Sequence, residues 1–380
     1  MISALALTNF KAFASAEIPM GRYTLLSGLN SAGKSTVLQA LALLRQSNLK
    51  LAPVRIGPGD ALVLNGELVE LGSAQDALHE NYVLEEPNAD PKIRLSLRVA
   101  GPSVVSWQAS YLRDADELPV DSPLGDPSLL GALDMATLFN RGFQYLRADR
   151  INPAVTFPKS RDRAASLGFL GTHGEYAVDF LLHHQDDPVP NPALRHPAAA
   201  SSRLLDQVEA WMSEICPGVK IQATAIDQTD LVRLGFHFTQ AGQPMTNPYR
   251  PTNVGFGLTY ALPLVLACLT AQHDAMLLLE NPEAHLHPRG QSVMARLTCA
   301  AAASGAQLVV ETHSDHVLNG VRLSVKQELL KPEDVVLDYF SRGPKGIEII
   351  NPVLDAAGMV SQWPPGFFDE WDRAIDELLD

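Results

Sequence analysis

Tyr23-Thr-Leu-Leu-Ser-Gly28-Leu-Asn30-Ser31-Ala32-Gly33-Lys34-Ser35-Thr36-Val-Leu-Gln-Ala decides how the rest of the chain is read. The apolar run Tyr23–Ser27 predicts a buried strand, and Lys34 to Arg45 an apolar-rich helix. Between them Gly28 to Ser35 fits G-x-x-x-x-G-K-[ST] without a mismatch. Glycines let such a loop bend its N–H groups toward a phosphate, and the helix N-terminus adds positive dipole. Gly28, Asn30, Ser31, Ala32, Gly33, Lys34, Ser35 and Thr36 are therefore the expected phosphate contacts. Lys34 would reach the β- and γ-phosphates, Ser35 would ligate Mg²⁺, and Thr36 would bond the α-phosphate. A chance Gly-rich turn would not be expected to match both the motif and its flanks.

Two further apolar strands end in polar groups. Met276-Leu-Leu-Leu-Glu280-Asn281-Pro282-Glu283 closes in carboxylates, and Glu280 is the expected partner of Mg²⁺. Gln307-Leu-Val-Val-Glu311-Thr312-His313-Ser314-Asp315-His316 closes in a histidine that can face a γ-phosphate or a water. Ligands of open α/β sheets bind beyond the C-terminal strand ends, so the GKS, ENPE and THSDH ends are expected at one crevice. Glu283, His285 and His287 also read as E-x-H-x-H, but that spacing fits a metal only in extended chain, and a loop beside the nucleotide is preferred. A Ser–His–Asp hydrolase is disfavoured: no G-x-S-x-G elbow is present, and residues of one tetrapeptide cannot meet in triad geometry.

At 380 residues the chain has room for two or three units at roughly 150 residues each. With 46% hydrophobic and 19% charged residues it can build a large core, which excludes wholesale disorder. Its net charge of −14 argues against a surface devoted to nucleic acid, though not against a local basic patch. Cys216, Cys268 and Cys299 are too scattered for a disulfide framework or zinc knuckle, which fits a reducing cytoplasm. The N-terminus shows no secretory pattern. Val254–Ala271 lacks charge, but Gly255, Gly257 and Pro263 interrupt it, so a buried helix is expected and no membrane span.

Helices are also predicted near Ser202–Ile215, Gly290–Ala303 and Val317–Leu330, and strands at Ser3–Leu7, Ile93–Val99, Leu231–Phe238, Met276–Leu279 and Gln307–Val310. Proline is frequent in the middle, and no heptad persists there, so a coiled-coil arm is excluded. The expected parts are 1–86 as a first lobe, 87–250 as a mixed insertion of strands, loops and helices, 251–345 as a second lobe, and 346–380 as an extension. The fold class read from these elements is α/β around a P-loop; a bilobal head with a mixed sheet flanked by helices is what the resemblance of its motifs to a known family implies.

The order of these pieces resembles the ABC-type ATPases of the SMC/RecF/OLD branch. Leu7-Thr8-Asn9-Phe10-Lys11-Ala12-Phe13 resembles that branch's opening strand, Asn253-Val-Gly255-Phe-Gly257-Leu-Thr259 stands where its signature falls, ENPEAHLHP resembles its Walker B and D-loop, and THSDH its switch histidine. Tyr145–Pro153, Leu170–Tyr176 and the tail from Asn351 resemble a prokaryotic OLD-like, Septu-type subgroup. The resemblance implies ATP with Mg²⁺ held between two copies of the chain, Lys34 of one facing Gly255, Gly257 and Thr259 of the other. It counts Lys11 among the nucleotide contacts, Gln75 (or its rival Gln46) as the Q-loop metal ligand, and Glu280, Asn281, Glu283 and His313 as the catalytic set. Two departures stand out. The signature lacks an S-G-G triplet, and Asn281 occupies the position of the catalytic glutamate, where it can orient water but not accept its proton.

No D-x-D follows Leu323, so no Toprim nuclease is expected there, and the effector would be a separate chain such as an HNH-type nuclease. The leading expectation is a slowly hydrolysing dimeric switch that gates this effector in anti-phage defence or DNA transactions. The alternative is an ATP-retaining scaffold; a transporter motor is disfavoured by the opening strand. Arg147–Arg163, with five Lys/Arg, is a candidate contact for DNA or RNA, a solvated loop being the bland alternative. Trp363, Phe367, Phe368 and Trp371 are expected to pack in part on the body and in part on a protein partner.

Overall fold

Both apolar runs flanking the phosphate loop fold as their pattern predicts. In the computed structural model Tyr23–Gly28 is a strand and Lys34–Lys50 a helix of 17 residues. The structure describes residues 1–50, 61–84, 89–99, 103–124, 136–239, 242, 244–343 and 346–379. The chain divides into two units, 1–140 with 333–353 and 360–380, and 141–332 with 354–359.

The first unit holds an antiparallel sheet ordered β2-β1-β5-β6-β7-β4. Its strands are β1 (Ile2–Phe10), β2 (Phe13–Pro19), β4 (Ala61–Val63), β5 (Lys92–Val99), β6 (Val104–Ser110) and β7 (Glu117–Leu124). The expected boundary at 86/87 lies outside the described residues; β5 pairs directly with β1, so this sheet continues past it. β6 was not legible as a strand because it does not alternate: Ser106 and Gln108 are buried, bonded to Ser96 and Arg94 of β5. The same unit carries β3 (Tyr23–Gly28) parallel to β14 (Val335–Gly343), which pairs antiparallel with β15 (Gly346–Ile350). Continuous burial along β3 is what a strand covered on both faces requires.

In the second unit β13 (Gln307–Glu311), β12 (Met276–Glu280) and β8 (Gln144–Leu146) run parallel in that order. β12 and β13 are apolar between their ends, where Gln307, Glu280 and Glu311 stand, and are buried throughout apart from the partly exposed Glu280. A three-stranded antiparallel set, β10 (Val219–Ala225), β11 (Leu231–Phe238) and β9 (Phe157–Pro158), lies in the same unit. Its helices include Ala177–His184, Leu204–Ile215, Phe256–Leu269, Pro288–Ala303 and Asp315–Lys326. The uncharged segment from Val254 is the helix Phe256–Leu269, buried from Leu258 onward, and among the described residues no helix is long and apolar enough to cross a membrane. Pro263 is accommodated inside it, with Gly174 so close that a Cβ there would lie 2.5 Å from its ring.

The aromatic tail is partly resolved into body packing. Phe367 is fully buried, edge-on to Tyr339 of β14 at 5.4 Å, and the Tyr339 hydroxyl donates to Pro365 O at 2.9 Å. Trp363 remains 47% exposed, while Trp371 falls in the helix Glu370–Leu379 with its side chain outside those described.

Candidate functional site

The phosphate loop of the first unit is shaped by backbone. Gly28 has φ +130° and a Cβ there would lie 2.1 Å from Phe340 O of β14, so only glycine fits. Ser31 and Gly33 also take positive φ, 59° and 93°, curling successive N–H groups around one concavity. The helix it opens carries no acid in its first turn, leaving its dipole uncancelled. Asn30 and Ser31 are exposed at the rim, Gly28, Gly33 and Ser35 half-buried, Ala32 and Thr36 buried. Lys34 is buried, its Nζ donating to Gly28 O at 3.0 Å and Leu29 O at 2.8 Å. The ammonium is thus folded onto loop carbonyls, within one side-chain rotation of anything held in the loop. These residues fit a nucleotide phosphate. Arg342, at the end of β14, donates to Ser31 O at 3.1 Å and adds a cation that sequence reasoning missed, because only strand pairing brings it there.

Lys11 sits in the β1–β2 turn with φ +46°; burial lowers its ammonium pKa, with Asp76 opposing. Gln75 is exposed and accepts from Arg113 Nε at 3.1 Å. Its rival Gln46 is no metal ligand. It is buried, its Nε2 donating to Val63 O and Val69 O and its Oε1 accepting from Leu68 N and Val69 N, so the amide is spent on latching the following chain.

In the second unit the acidic strand end is held by side chains. Glu280 Oε1 accepts from the Tyr145 hydroxyl at 2.5 Å and Oε2 from Ala148 N at 3.0 Å. Burial first, then the Glu280 charge, pushes the Tyr145 phenol well above its ordinary range, so it remains a donor at neutral pH. Asn281 stands at φ +43°, a left-handed position that asparagine tolerates, and its Nδ2 donates to Glu283 Oε1 at 3.3 Å. His313 N donates to the same oxygen at 3.0 Å, while the His313 ring is exposed. Glu283 Oε2 is buried without a hydrogen-bond partner. Glu280, Asn281, Glu283 and His313 are therefore brought together. Such an oxygen-rich, partly unsatisfied cluster is suited to a hard divalent cation and its waters.

The expected signature turn adjoins this cluster. Gly257 lies so near the ENPEAH turn that a Cβ would stand 2.7 Å from His285 O. Gly255 is exposed at the helix start, but Thr259 is buried with an unpartnered hydroxyl, set inside the helix packing and not at its tip. The histidines of E-x-H-x-H have structural work. His285 stands edge-on to Tyr260 at 4.5 Å, and His287 Nδ1 caps the next helix by accepting from Arg289 N. Among the described residues no His/Cys/Asp/Glu trio could hold a metal alone. The basic stretch is also partly structural: Arg150 is 2% exposed, and Lys159 is tied to Thr229 O at 3.1 Å, so neither forms a free cationic face.

Fold and loop together define a P-loop ATPase-type protein of mixed α/β architecture. The match to the family described as "AAA domain, putative AbiEii toxin, Type IV TA system" spans residues 24–319, and the chain belongs to that family. Residues 330–378 are similar to a second family, described as a "Protein of unknown function". The fold is similar to an SMC head bound to the C-terminal winged-helix domain of ScpA (TM-score 0.54, 15% identity, 94% of this chain and 98% of that one). It is also similar to an SMC head with an extended coiled coil bound to the C-terminal domain of ScpA from Pyrococcus furiosus (TM-score 0.51, 13% identity, 100% and 99%). Among curated proteins none matches.

Proposed function

We propose that this protein is a nucleotide-driven switch that binds ATP with Mg²⁺, hydrolyses it slowly and gates a separate effector. The observation that carries the reading is the fully formed loop, with Lys34 turned onto its own carbonyls above a helix start free of acids. In this reading Gly28 to Thr36, with Lys11 at its side, bind the phosphates, and Ser35, Glu280 and Gln75 hold Mg²⁺, which screens phosphate charge when bound. Glu283 and Asn281 orient the attacking water, and His313 faces the terminal phosphate. Gly255 and Gly257 serve the nucleotide of a second copy, in a homodimer that ATP closes, while the buried Thr259 packs the helix behind them and does not reach it.

A defence context, in the cytoplasm, is favoured by the family description, which names a putative toxin of a toxin–antitoxin system. A protein effector is favoured by the solved SMC heads, each bound to a domain of ScpA. An HNH-type nuclease is the effector proposed, with DNA or RNA as its target or trigger. The scaffold reading is kept by one observation: Asn281 Nδ2 and His313 N both donate to Glu283 Oε1, so that oxygen is already engaged.

The deciding experiment measures ATP binding, phosphate release and mass in solution for the wild type and Lys34→Ala. Tight binding, slow release and ATP-dependent dimerisation support the switch. Retained ATP without release leaves the scaffold, and no ATP binding ends both. Co-expression with the neighbouring reading frame tests the effector.

A further inference from the structure

We propose that Arg150 is a positioning residue: its buried guanidinium fixes the Glu280–Asn281 turn and ties it to the helix opened by Gly255 and Gly257. Nη1 donates to Glu280 O at 2.7 Å and to Arg147 O at 3.0 Å, while Nη2 donates to Asn281 O at 2.7 Å. Two consecutive carbonyls are thereby bridged by one rigid fork, just where Asn281 turns left-handed at φ +43°. A lysine ammonium lacks that planar fork and would hold one carbonyl well and the other poorly.

The other side of the guanidinium meets the signature helix. It lies 5.4 Å from the centre of the Tyr260 ring, and Tyr260 in turn stands edge-on to His285 at 4.5 Å and donates to Asn152 Oδ1 at 3.2 Å. Arg150 thus contacts the strand end and the helix at once. The segment that carries it also fixes the Glu280 carboxylate, through Tyr145 and Ala148, so backbone and side chain of Glu280 are set by a single stretch, 145–150.

The arrangement is electrostatically specific. Burying a guanidinium is costly unless its donors are matched; here carbonyls match Nη1 and Nη2 with charge-assisted bonds, while the buried Nε has no hydrogen-bond partner. Burial lowers the Arg150 pKa to about 10, with the charge of Glu283 the largest opposing influence, so the group stays cationic at neutral pH. A cation facing Glu280 and Glu283 lets two carboxylates share one small volume before any metal arrives. The proposal rests on the nucleotide role assigned above to Glu280.

The test uses the full chain with Arg150→Met, Arg150→Lys and Tyr260→Leu. Hydrogen exchange is followed without nucleotide, and then ATP affinity and phosphate release with Mg²⁺. The amides to watch are Asn281, Ala284 and Leu286, bonded to Glu311 O, Asn281 O and Glu283 O. In Arg150→Met their exchange should rise about tenfold while the helix Lys34–Lys50 is unchanged. ATP affinity should stay within about threefold, turnover should fall at least about tenfold with KM little altered, and Arg150→Lys should recover part of it. Wild-type exchange and turnover in Arg150→Met would overturn the proposal. If that variant loses protection everywhere, Arg150→Lys and Tyr260→Leu decide: wild-type behaviour in both overturns it, and a graded loss supports it. If the wild type releases no phosphate, the functional reading fails, yet the exchange of the 281–286 amides still decides the clamp.

Discussion

The phosphate-loop end and the acidic-strand end are built by opposite means. The first is one contiguous run from Gly28 to Thr36, whose shape comes from glycine torsions and backbone N–H groups. The second is held by partners far away in sequence: Tyr145 reaches Glu280 across 135 positions and Arg150 reaches Asn281 across 131. A contiguous backbone site tolerates change at its exposed rim but none at its glycines. A site assembled from distant side chains fails in steps, one partner at a time.

The harshest way to break the first end is Gly28→Ala. Its Cβ would collide with Phe340 O in a backbone conformation that L residues avoid, and a loss on the order of 3 kcal/mol or more is expected in denaturant titration. Retained stability would show that β14 can move away from the loop. Lys34→Ala should leave the fold and lower ATP affinity about a hundredfold, since it removes the charge facing the phosphates; calorimetric titration reads it directly.

A third test concerns pH. Asp338 of β14 is buried, bonded to Asn351 through Oδ1 and unpartnered at Oδ2, and burial raises its carboxyl well above the usual carboxylate range. Because its folded pKa exceeds its unfolded value near 3.8, the folded state holds the extra proton, and stability falls as pH rises from about 4 toward the folded pKa. Asp338→Asn should flatten that part of the pH–stability profile and raise the midpoint temperature at pH 7. An unchanged slope would place the titration elsewhere.

The smallest effect is expected of Asn281→Glu. At φ +43° a glutamate costs about 1 kcal/mol more than asparagine, so the variant should melt slightly lower, bind ATP normally and turn over as fast or faster. A large loss of turnover would show that the asparagine amide itself positions water, and would sharpen the contrast between a torsion-built and a side-chain-built end.

How much was legible follows from the same contrast. The strands β3, β12 and β13 and the helix Lys34–Lys50 were readable because buried parallel strands carry short continuous apolar runs and the loop motif is local. β6 was not, since its buried serine and glutamine make sense only beside β5. Arg150 looked like part of a basic patch because a sequence shows charge and not burial. Gln46 looked available because its four backbone partners lie 17 to 23 residues onward.

By itself, then, the sequence determined the class of fold, the phosphate loop and the order of the strands' polar ends, all features encoded within a dozen neighbouring residues. Tertiary structure alone decided that Arg150 and Tyr145 brace Glu280, that Arg342 reaches Ser31, that Thr259 is buried, and that Phe367 straps the tail to Tyr339. Hydrogen bonds and burial between residues of different elements leave no periodic trace along the chain, because their partners are set by packing and not by spacing.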